Sequence, residues 1–235
     1  MQNDGALGSV VLRDSDPAIN DTSRDGQSIQ ILGAGMNPQR PAHQAIHDLD
    51  GRGWRLVPIH PNDAGGSILG RPIRPLIEKG ITPQVVVFFL APERAKKAVL
   101  ELMIRFPLAE MPLLWFQPGS EHEEVLEMLN EADITHIVDD CIVRFVQRHH
   151  LKSAEPYLNE EWYLQTASSE GDGCSVWEVH GQNSAVSPPA EALEWVGDLD
   201  DLRVSEHTIP RYIRSLKRSN ESLKEAAQRL AGAVN

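Results

Sequence analysis

The sequence is poor in cysteine, with two among 235 residues, Cys141 and Cys174. Two cysteines so far apart provide neither a disulfide framework nor a metal-binding motif, which predicts a reducing, cytoplasmic environment. The first residues lack the apolar region of a signal peptide, and the longest apolar run, residues 85–91, is too short to span a bilayer. We therefore expect no membrane partner and no metal site.

Positive charge is also scarce. The chain has 22 Lys and Arg residues against 34 Asp and Glu residues, a net charge of −12 and a pI near 5.2. This balance argues against nucleic acid and anionic membrane surfaces, both of which attract basic faces. A phosphorylated small molecule is still compatible if its site uses backbone dipoles and a few cationic side chains.

The sequence lacks the common catalytic signatures. It has no Gly-x-Ser-x-Gly nucleophile turn, no Gly-Lys-Ser/Thr phosphate loop and no His-Glu-x-x-His helix. These absences favour a binding protein over an enzyme, and they leave no residue to nominate as catalytic.

Alternating strand and helix signals fill residues 28–151, after a polar stretch, 1–27, that we expect to be a flexible tail. Strands are predicted at 28–33, 54–59, 84–89, 112–116 and 134–138, and helices at 40–51, 92–105, 120–131 and 141–149. Continuously apolar strands are typical of a parallel sheet buried on both faces. The pattern predicts an α/β class and a Rossmann-like, doubly wound parallel sheet of about five strands. The interval 60–83, rich in Gly and Pro, predicts a long loop with at most a short helix near 74–79.

The sequence pattern of residues 152–235 predicts a small α+β region that follows the parallel-sheet domain. Alternating residues at 162–166 and 175–180 indicate two strands joined by a glycine-rich turn, and 184–189 is interpreted as a linker. One long helix is predicted from about 208 to 231. Its apolar positions recur at a spacing close to seven residues. Such a stripe fits packing against its own domain or an interface with a second copy of the chain, and we slightly favour the homodimer.

The segment 29–41 predicts a strand, a glycine turn and a helix start, an arrangement that presents backbone N–H groups to a phosphate. The Gly33-x-Gly35 pair has Pro38 where a dinucleotide motif has its third glycine. The second predicted strand also ends without the carboxylate that holds the ribose of NAD, since Asp63 lies beyond Pro61. A tight turn without any ligand is the alternative interpretation.

Five segments, in order, resemble the small bacterial CoA-binding proteins. Residues 33–41 are similar to the family's Gly-Ala-Ser-x-x-Pro-x-Arg-Pro, 58–61 to Pro-Val-Asn-Pro, 64–70 to Gly-x-x-Ile-Leu-Gly, 114–119 to Leu-Trp-Leu-Gln-x-Gly, and 138–141 to Val-x-Asp-Arg-Cys. The resemblance covers about residues 29–150 and extends to the CoA-binding part of the succinyl-CoA synthetase α-subunit.

The resemblance implies coenzyme A, free or acylated, as the ligand. It implies that the glycine turn approaches the diphosphate, that Asn37 and Arg40 bind phosphate, and that His60 takes the place of the family's asparagine. The implied binding residues are Gly33, Ala34, Gly35, Asn37, Arg40, His60, Pro61, Gly66, Leu90, Pro92, Gln117, Gly119, Asp139 and Cys141.

Two positions depart from the family pattern: Gly35 replaces a serine and Asp140 replaces an arginine. Both changes remove groups that favour a phosphate. Two alternatives therefore stay open beside a CoA-binding protein. One is an NAD(P)-binding, nucleotide-binding or ligase-associated subunit whose chemistry lies on a partner, and the other is a regulatory or structural module with a vestigial pocket.

Overall fold

The computed structural model describes residues 28–154, 156–170 and 172–232. The predicted tail, 1–27, lies outside these residues. The chain divides into two compact units that are not consecutive in sequence. The first unit contains residues 28–34, Gln39–Leu56 and Thr82–Leu158, and the second contains Gly35–Pro38, Val57–Ile81 and the described residues from Asn159 onward. A single boundary near 151 stays a prediction, and it does not coincide with this division.

A five-stranded parallel sheet forms the frame of the fold. Its strands are β1 (Ser28–Leu32), β2 (Arg55–Ile59), β5 (Val85–Phe88), β6 (Leu113–Phe116) and β7 (His136–Ile137), in the order β2-β1-β5-β6-β7. Every residue of β1, β2, β5 and β6 is buried, which explains why these strands are not alternately polar. The predicted α/β class and parallel sheet are confirmed.

Four helices follow strands of this sheet. They are α1 (Pro41–Leu49), α2 (Pro92–Arg105), α3 (Glu123–Glu131) and α4 (Ile142–Arg148), with a short 3₁₀ turn at Leu108–Glu110. Proline stands in the first turn of α1 and of α2, where its missing N–H costs no helical hydrogen bond. The predicted helices are confirmed, with shorter ends at α1, α3 and α4.

The interval 60–83 differs from its prediction. It contains a small hairpin, β3 (Ser67–Ile68) and β4 (Arg71–Pro72), while Arg74 forms an isolated bridge with Ile59. Residues 74–79, all described, contain no helix. The glycines and prolines of this interval break helices, as expected, but they also permit a tight antiparallel turn.

The second unit is built on a three-stranded antiparallel sheet, ordered β10-β8-β9. Its strands are β8 (Trp162–Ala167), β9 (Ser175–His180) and β10 (Leu193–Asp198). The first two confirm the predicted strand pair, and β10 was not predicted. Aromatic rings form the centre of this unit, with Trp177 stacked 5.6 Å from Tyr163 and 5.8 Å from Trp195 between ring centroids.

The single long helix predicted at 208–231 is wrong. The structure has α5 (Leu199–Val204), α6 (Thr208–Ser215) and α7 (Leu223–Gly232), with a turn between α6 and α7. Ser222 and Glu225 form reciprocal backbone–side chain hydrogen bonds that start α7. This is the Ser-x-x-Glu capping box, a helix-start signal present in the sequence. Ile213 and Ala227 are buried in the aromatic core, so the apolar positions are covered within the unit.

No helix among the described residues is long and apolar enough to cross a membrane.

Candidate functional site

The carboxyl edge of the parallel sheet gathers most of the implied binding residues of the first unit. Because parallel strands end on the same edge, the segments after β1, β5, β6 and β7 meet there. These segments carry Gly33, Ala34, Leu90, Pro92, Gln117, Gly119, Asp139 and Cys141. The strand order reverses between β1 and β5, and such a switch point is where open α/β sheets bind ligands.

Gly33 lies at this switch point and is required by the protein's own backbone. A Cβ atom there would lie 2.5 Å from the carbonyl oxygen of Phe89, and the residue has a φ of +98°. The Phe89 N–H donates to the Leu32 carbonyl over 3.0 Å, which holds the two segments together. The glycine is therefore explained by close packing, and a phosphate contact here stays a prediction.

The second half of the glycine turn, at Gly35 and Met36, belongs to the second unit and has an unexpected partner. The Met36 N–H donates to Asp63 Oδ2 over 2.7 Å. A Cβ atom on Gly35 would lie 2.2 Å from that same oxygen and 2.9 Å from the His60 ring. The sequence analysis set Asp63 aside because it lies beyond Pro61, and its contact with Met36 was not predicted.

His60 borders the same carboxylate. Its Nδ1 lies 3.2 Å from Asp63 Oδ2, an ion-pair distance, but outside hydrogen-bond geometry. The His60 N–H donates to the Arg74 carbonyl over 3.0 Å, which fixes the backbone at the end of β2. Pro61, the next implied residue, is exposed.

Gly66 is buried in the second unit beside residues of the C-terminal region. A Cβ atom on it would lie 3.0 Å from Met36 Sδ and 3.1 Å from Pro188 Cδ. The adjacent Ser67 Oγ donates to the Ser184 carbonyl over 2.7 Å, and the Ser67 N–H donates to the Val186 carbonyl over 2.9 Å. Residues 184–189, interpreted as a linker, are therefore held against the loop that resembles a CoA-binding segment.

Gln117 is the most informative side chain at the sheet edge. It is 5 % exposed, and its Nε2 has no hydrogen-bond partner among the described residues. The turn that carries it is fixed, because the Ser120 N–H donates to the Gln117 carbonyl and Ser120 Oγ donates to the Phe88 carbonyl. A buried, unpaired amide donor is costly, and an acceptor on a ligand would satisfy it.

The segment after β7 contains an aspartate, Asp140, whose negative charge is paired with an arginine. Asp140, which replaces the family's arginine, accepts a hydrogen bond from Arg148 over 2.6 Å. Its carbonyl accepts from the buried Trp115 indole over 2.8 Å, so Trp115 belongs to the core. Cys141 is half-buried at the N-cap of α4, and Asp139 is exposed with a φ of +60°. The sequence interpretation missed Arg148.

Arg40 and Asn37 are exposed on the chain before α1. Arg40 is the N-cap residue of that helix and has extended backbone, but its side chain makes no capping bond. The first turn of α1 has no acidic residue, so the partial positive charge of the helix N-terminus is not offset there. Among the described residues, no group of three or more His, Cys, Asp or Glu side chains is arranged to hold a metal ion.

One further polar pair, which the motifs did not indicate, lies at the starts of α2 and α3. His122 Nε2 is 3.3 Å from Glu93 Oε1, and the His122 side chain is 14 % exposed. The arrangement at the edge as a whole supplies hydrogen-bond donors from Gln117 and from helix N-termini. It is suited to binding an anionic or amide-rich ligand.

Known proteins resemble about half to two thirds of this chain. The curated protein "Uncharacterized protein YneT" from Bacillus subtilis is 25 % identical over 126 residues, which is 53 % of this chain and 88 % of that protein. A conserved hypothetical protein from Pyrococcus furiosus is 26 % identical, with a TM-score of 0.45 over 51 % of this chain and 98 % of its own. Prb, a protein redesigned for binding, is 20 % identical, with a TM-score of 0.50 over 66 % of this chain and 96 % of its own.

The family model described as "CoA binding domain" matches residues 27–146, half of the chain. The matched range contains all five strands of the parallel sheet and every implied binding residue. The C-terminal sheet and its helices lie beyond it. On the strength of this match, the chain belongs to the CoA-binding domain family.

Proposed function

We propose that this protein binds coenzyme A or an acyl-CoA at the carboxyl edge of its parallel sheet and has no catalytic activity by itself. The observation that carries the proposal is the family match over residues 27–146. The unpaired Gln117 amide at the switch-point edge supports it, because a ligand acceptor there would relieve a buried donor.

In this proposal the implied residues keep distinct roles. The backbone at Gly33, Ala34 and Gly35 contacts the diphosphate, and Asn37 and Arg40 bind phosphate from the chain before α1. Leu90 and Pro92 border the adenine. The remaining implied residues are Gln117, Gly119, Asp139 and Cys141 in the first unit and His60, Pro61 and Gly66 in the second.

The first experiment is titration calorimetry of the purified chain with CoA, together with mass spectrometry of any ligand that co-purifies. Arg40→Ala should weaken CoA binding by about tenfold, the scale of a charge-assisted hydrogen bond. Arg144→Ala is the matched control, since Arg144 is an exposed arginine on α4. No CoA binding by the wild-type chain, or equal losses in the two variants, would contradict the proposal.

An NAD(P)-type dinucleotide is the second candidate, and Asp63 is the observation that favours it. A carboxylate beside the glycine turn resembles the acidic residue that accepts the ribose hydroxyls of NAD. The same titration with NAD and NADP separates the candidates. A chain that binds neither CoA nor dinucleotide would instead be a regulatory or structural module, or a subunit whose chemistry lies on a partner.

A cytoplasmic location and a homodimer stay predictions. The homodimer was favoured by one long helix with an uncovered apolar face. That helix is divided into α6 and α7, and Ile213, Ala227 and neighbouring apolar residues pack on the second unit's own core. Sedimentation of the full chain at tens of micromolar tests the oligomeric state.

A further inference from the structure

Asp63 occupies a defined place on the glycine turn. Its Oδ2 accepts the Met36 N–H over 2.7 Å, and its side chain is 27 % exposed. The backbone around it is fixed on both sides, because the Asp63 N–H donates to the His60 carbonyl and the Gly66 N–H donates to the Asp63 carbonyl. The carboxylate is therefore held against the turn by its own loop, within the second unit.

The carboxylate has the chemistry of the ligand group expected there. A glycine turn before a helix binds anions through backbone N–H groups, and a carboxylate oxygen is an anionic acceptor of the same kind as a phosphate oxygen. Gly35 allows the close approach, since a Cβ atom on it would lie 2.2 Å from Asp63 Oδ2. The absence of a side chain at this position thus accommodates an anion that belongs to the protein.

We propose that Asp63 is an internal anion that competes with the ligand's diphosphate for the Met36 N–H and so determines affinity and selectivity at this turn. The inference rests on the proposed function, because it assigns the diphosphate to the glycine turn. A diphosphate must displace the carboxylate from Met36 and overcome its negative charge. His60 gives the displaced carboxylate a partner, since its Nδ1 is already 3.2 Å from the same oxygen.

The competition selects between ligands. A ligand that brings two phosphate charges to the turn must first move Asp63. A ligand that brings hydroxyl donors, such as a ribose, would instead keep Asp63 in place and donate to it. Removing the charge of Asp63 should therefore strengthen binding of diphosphates and weaken binding of a ligand held through its ribose.

The test is the Asp63→Asn variant, titrated with CoA and separately with inorganic diphosphate. Both should bind about tenfold more tightly than to the wild-type chain, a change of about 1.4 kcal/mol. The gain should increase at low ionic strength, because salt screens the repulsion that the variant removes. Asp48→Asn is the control, since it removes the same charge from an exposed position on α1 and should change either affinity by less than twofold.

The two ligands separate failure of this inference from failure of the proposed function. Tighter binding of diphosphate to Asp63→Asn than to the wild-type chain, with no CoA binding by either protein, would support the competition and contradict the proposed CoA binding. If diphosphate binds no better to Asp63→Asn than to the wild-type chain, the inference is overturned.

A measurement on the wild-type chain keeps the inference testable should the variant fold poorly. The Met36 amide resonance and the Asp63 carboxyl carbon resonance should both shift when CoA or diphosphate is added, because the carboxylate leaves the amide. Saturation with either ligand while both resonances stay unmoved would overturn the competition.

Discussion

The parallel sheet of the first unit and the antiparallel sheet of the second unit are stabilised by different chemistry. In the first, Ile31, Val86 and Val87 are completely buried in strands whose residues are mostly apolar. In the second, a buried guanidinium and indole N–H groups join segments far apart in sequence. Apolar burial depends little on direction, whereas each of these polar contacts requires its particular partner.

The comparison shows where sensitivity to substitution should lie. The first unit should tolerate conservative changes in its strands and lose function when its edge is changed. The second unit should lose stability when one polar partner is removed, because the other partner is left buried without compensation.

The largest effect is expected for Arg74→Leu. Arg74 is 3 % exposed, and its guanidinium donates to Asp198 over 2.7 Å and to Asp201 over 2.6 Å. Removing it leaves two buried carboxylates without their cation, which should lower the free energy of unfolding by about 3–5 kcal/mol. Urea unfolding followed by tryptophan fluorescence measures the loss.

Arg203→Leu is the control for this change. Arg203 pairs with Asp200, but its side chain is 42 % exposed, so its loss should cost less than about 1 kcal/mol. Equal losses for the two arginines would show that burial does not determine the cost of removing an arginine from the second unit.

The second prediction compares two buried tryptophans. Trp177 in the second unit donates from Nε1 to the Ala227 carbonyl over 3.0 Å, while Trp54 Nε1 in the first unit has no partner among the described residues. Trp177→Phe should lower the free energy of unfolding by about 1 kcal/mol more than Trp54→Phe, because only Trp177→Phe removes a hydrogen bond. Thermal unfolding monitored by circular dichroism provides the comparison, and a larger loss for Trp54→Phe would contradict it.

The third prediction concerns Gln117 at the edge of the first unit. Gln117→Leu should weaken CoA binding by about tenfold and leave stability equal or about 1 kcal/mol higher, because it removes an unpaired buried donor. Gln30→Leu is the matched control: Gln30 is 1 % exposed in the middle of β1, with its Nε2 also unpaired among the described residues. It should raise stability similarly without affecting CoA, so a loss of CoA binding in both variants would remove Gln117 from the site.

The sequence predicts the first unit well because its signals are local. Residues 85–89 are a continuous apolar run, and this composition alone indicates a strand buried on both faces. Pro92 and Pro41 similarly mark helix starts within a few residues. Such patterns need no knowledge of distant parts of the chain.

In the second unit the strand pair β8 and β9 had local signals, but the contacts that join its segments cross long stretches of sequence and could not be predicted. Arg74 meets Asp201 across 127 residues, and Ser67 meets Ser184 across 117. The same reason hid the contact of Asp63 with Met36, which lies 27 residues earlier. The division into α6 and α7 was different, since Ser222 and Glu225 gave a local signal that the apolar spacing obscured.

The last prediction tests that division through its pH dependence. Arg229 donates to Glu221 over 2.7 Å, and this hydrogen bond, together with one from the Arg218 N–H, lowers the pKa of Glu221 from 4.5 to about 2. A carboxyl with a lowered pKa in the folded state contributes its stability above the unfolded value, and loses it as the pH falls through the folded value. Glu221→Gln should therefore be less stable than the wild-type chain above about pH 4.5, with the difference disappearing towards pH 2.

Urea midpoints of the wild-type chain and the variant, taken at intervals from pH 7 to pH 2, measure this difference. Glu127→Gln is the control, since Glu127 is exposed on α3 in the first unit, and its difference from the wild-type chain should stay small at every pH. A Glu221→Gln difference that persists at pH 2 would show that the side chain stabilises the turn by packing. A difference that disappears at low pH would instead show that the Glu221–Arg229 ion pair stabilises the turn between α6 and α7. These two helices would then depend on specific polar partners, as the other contacts of the second unit do.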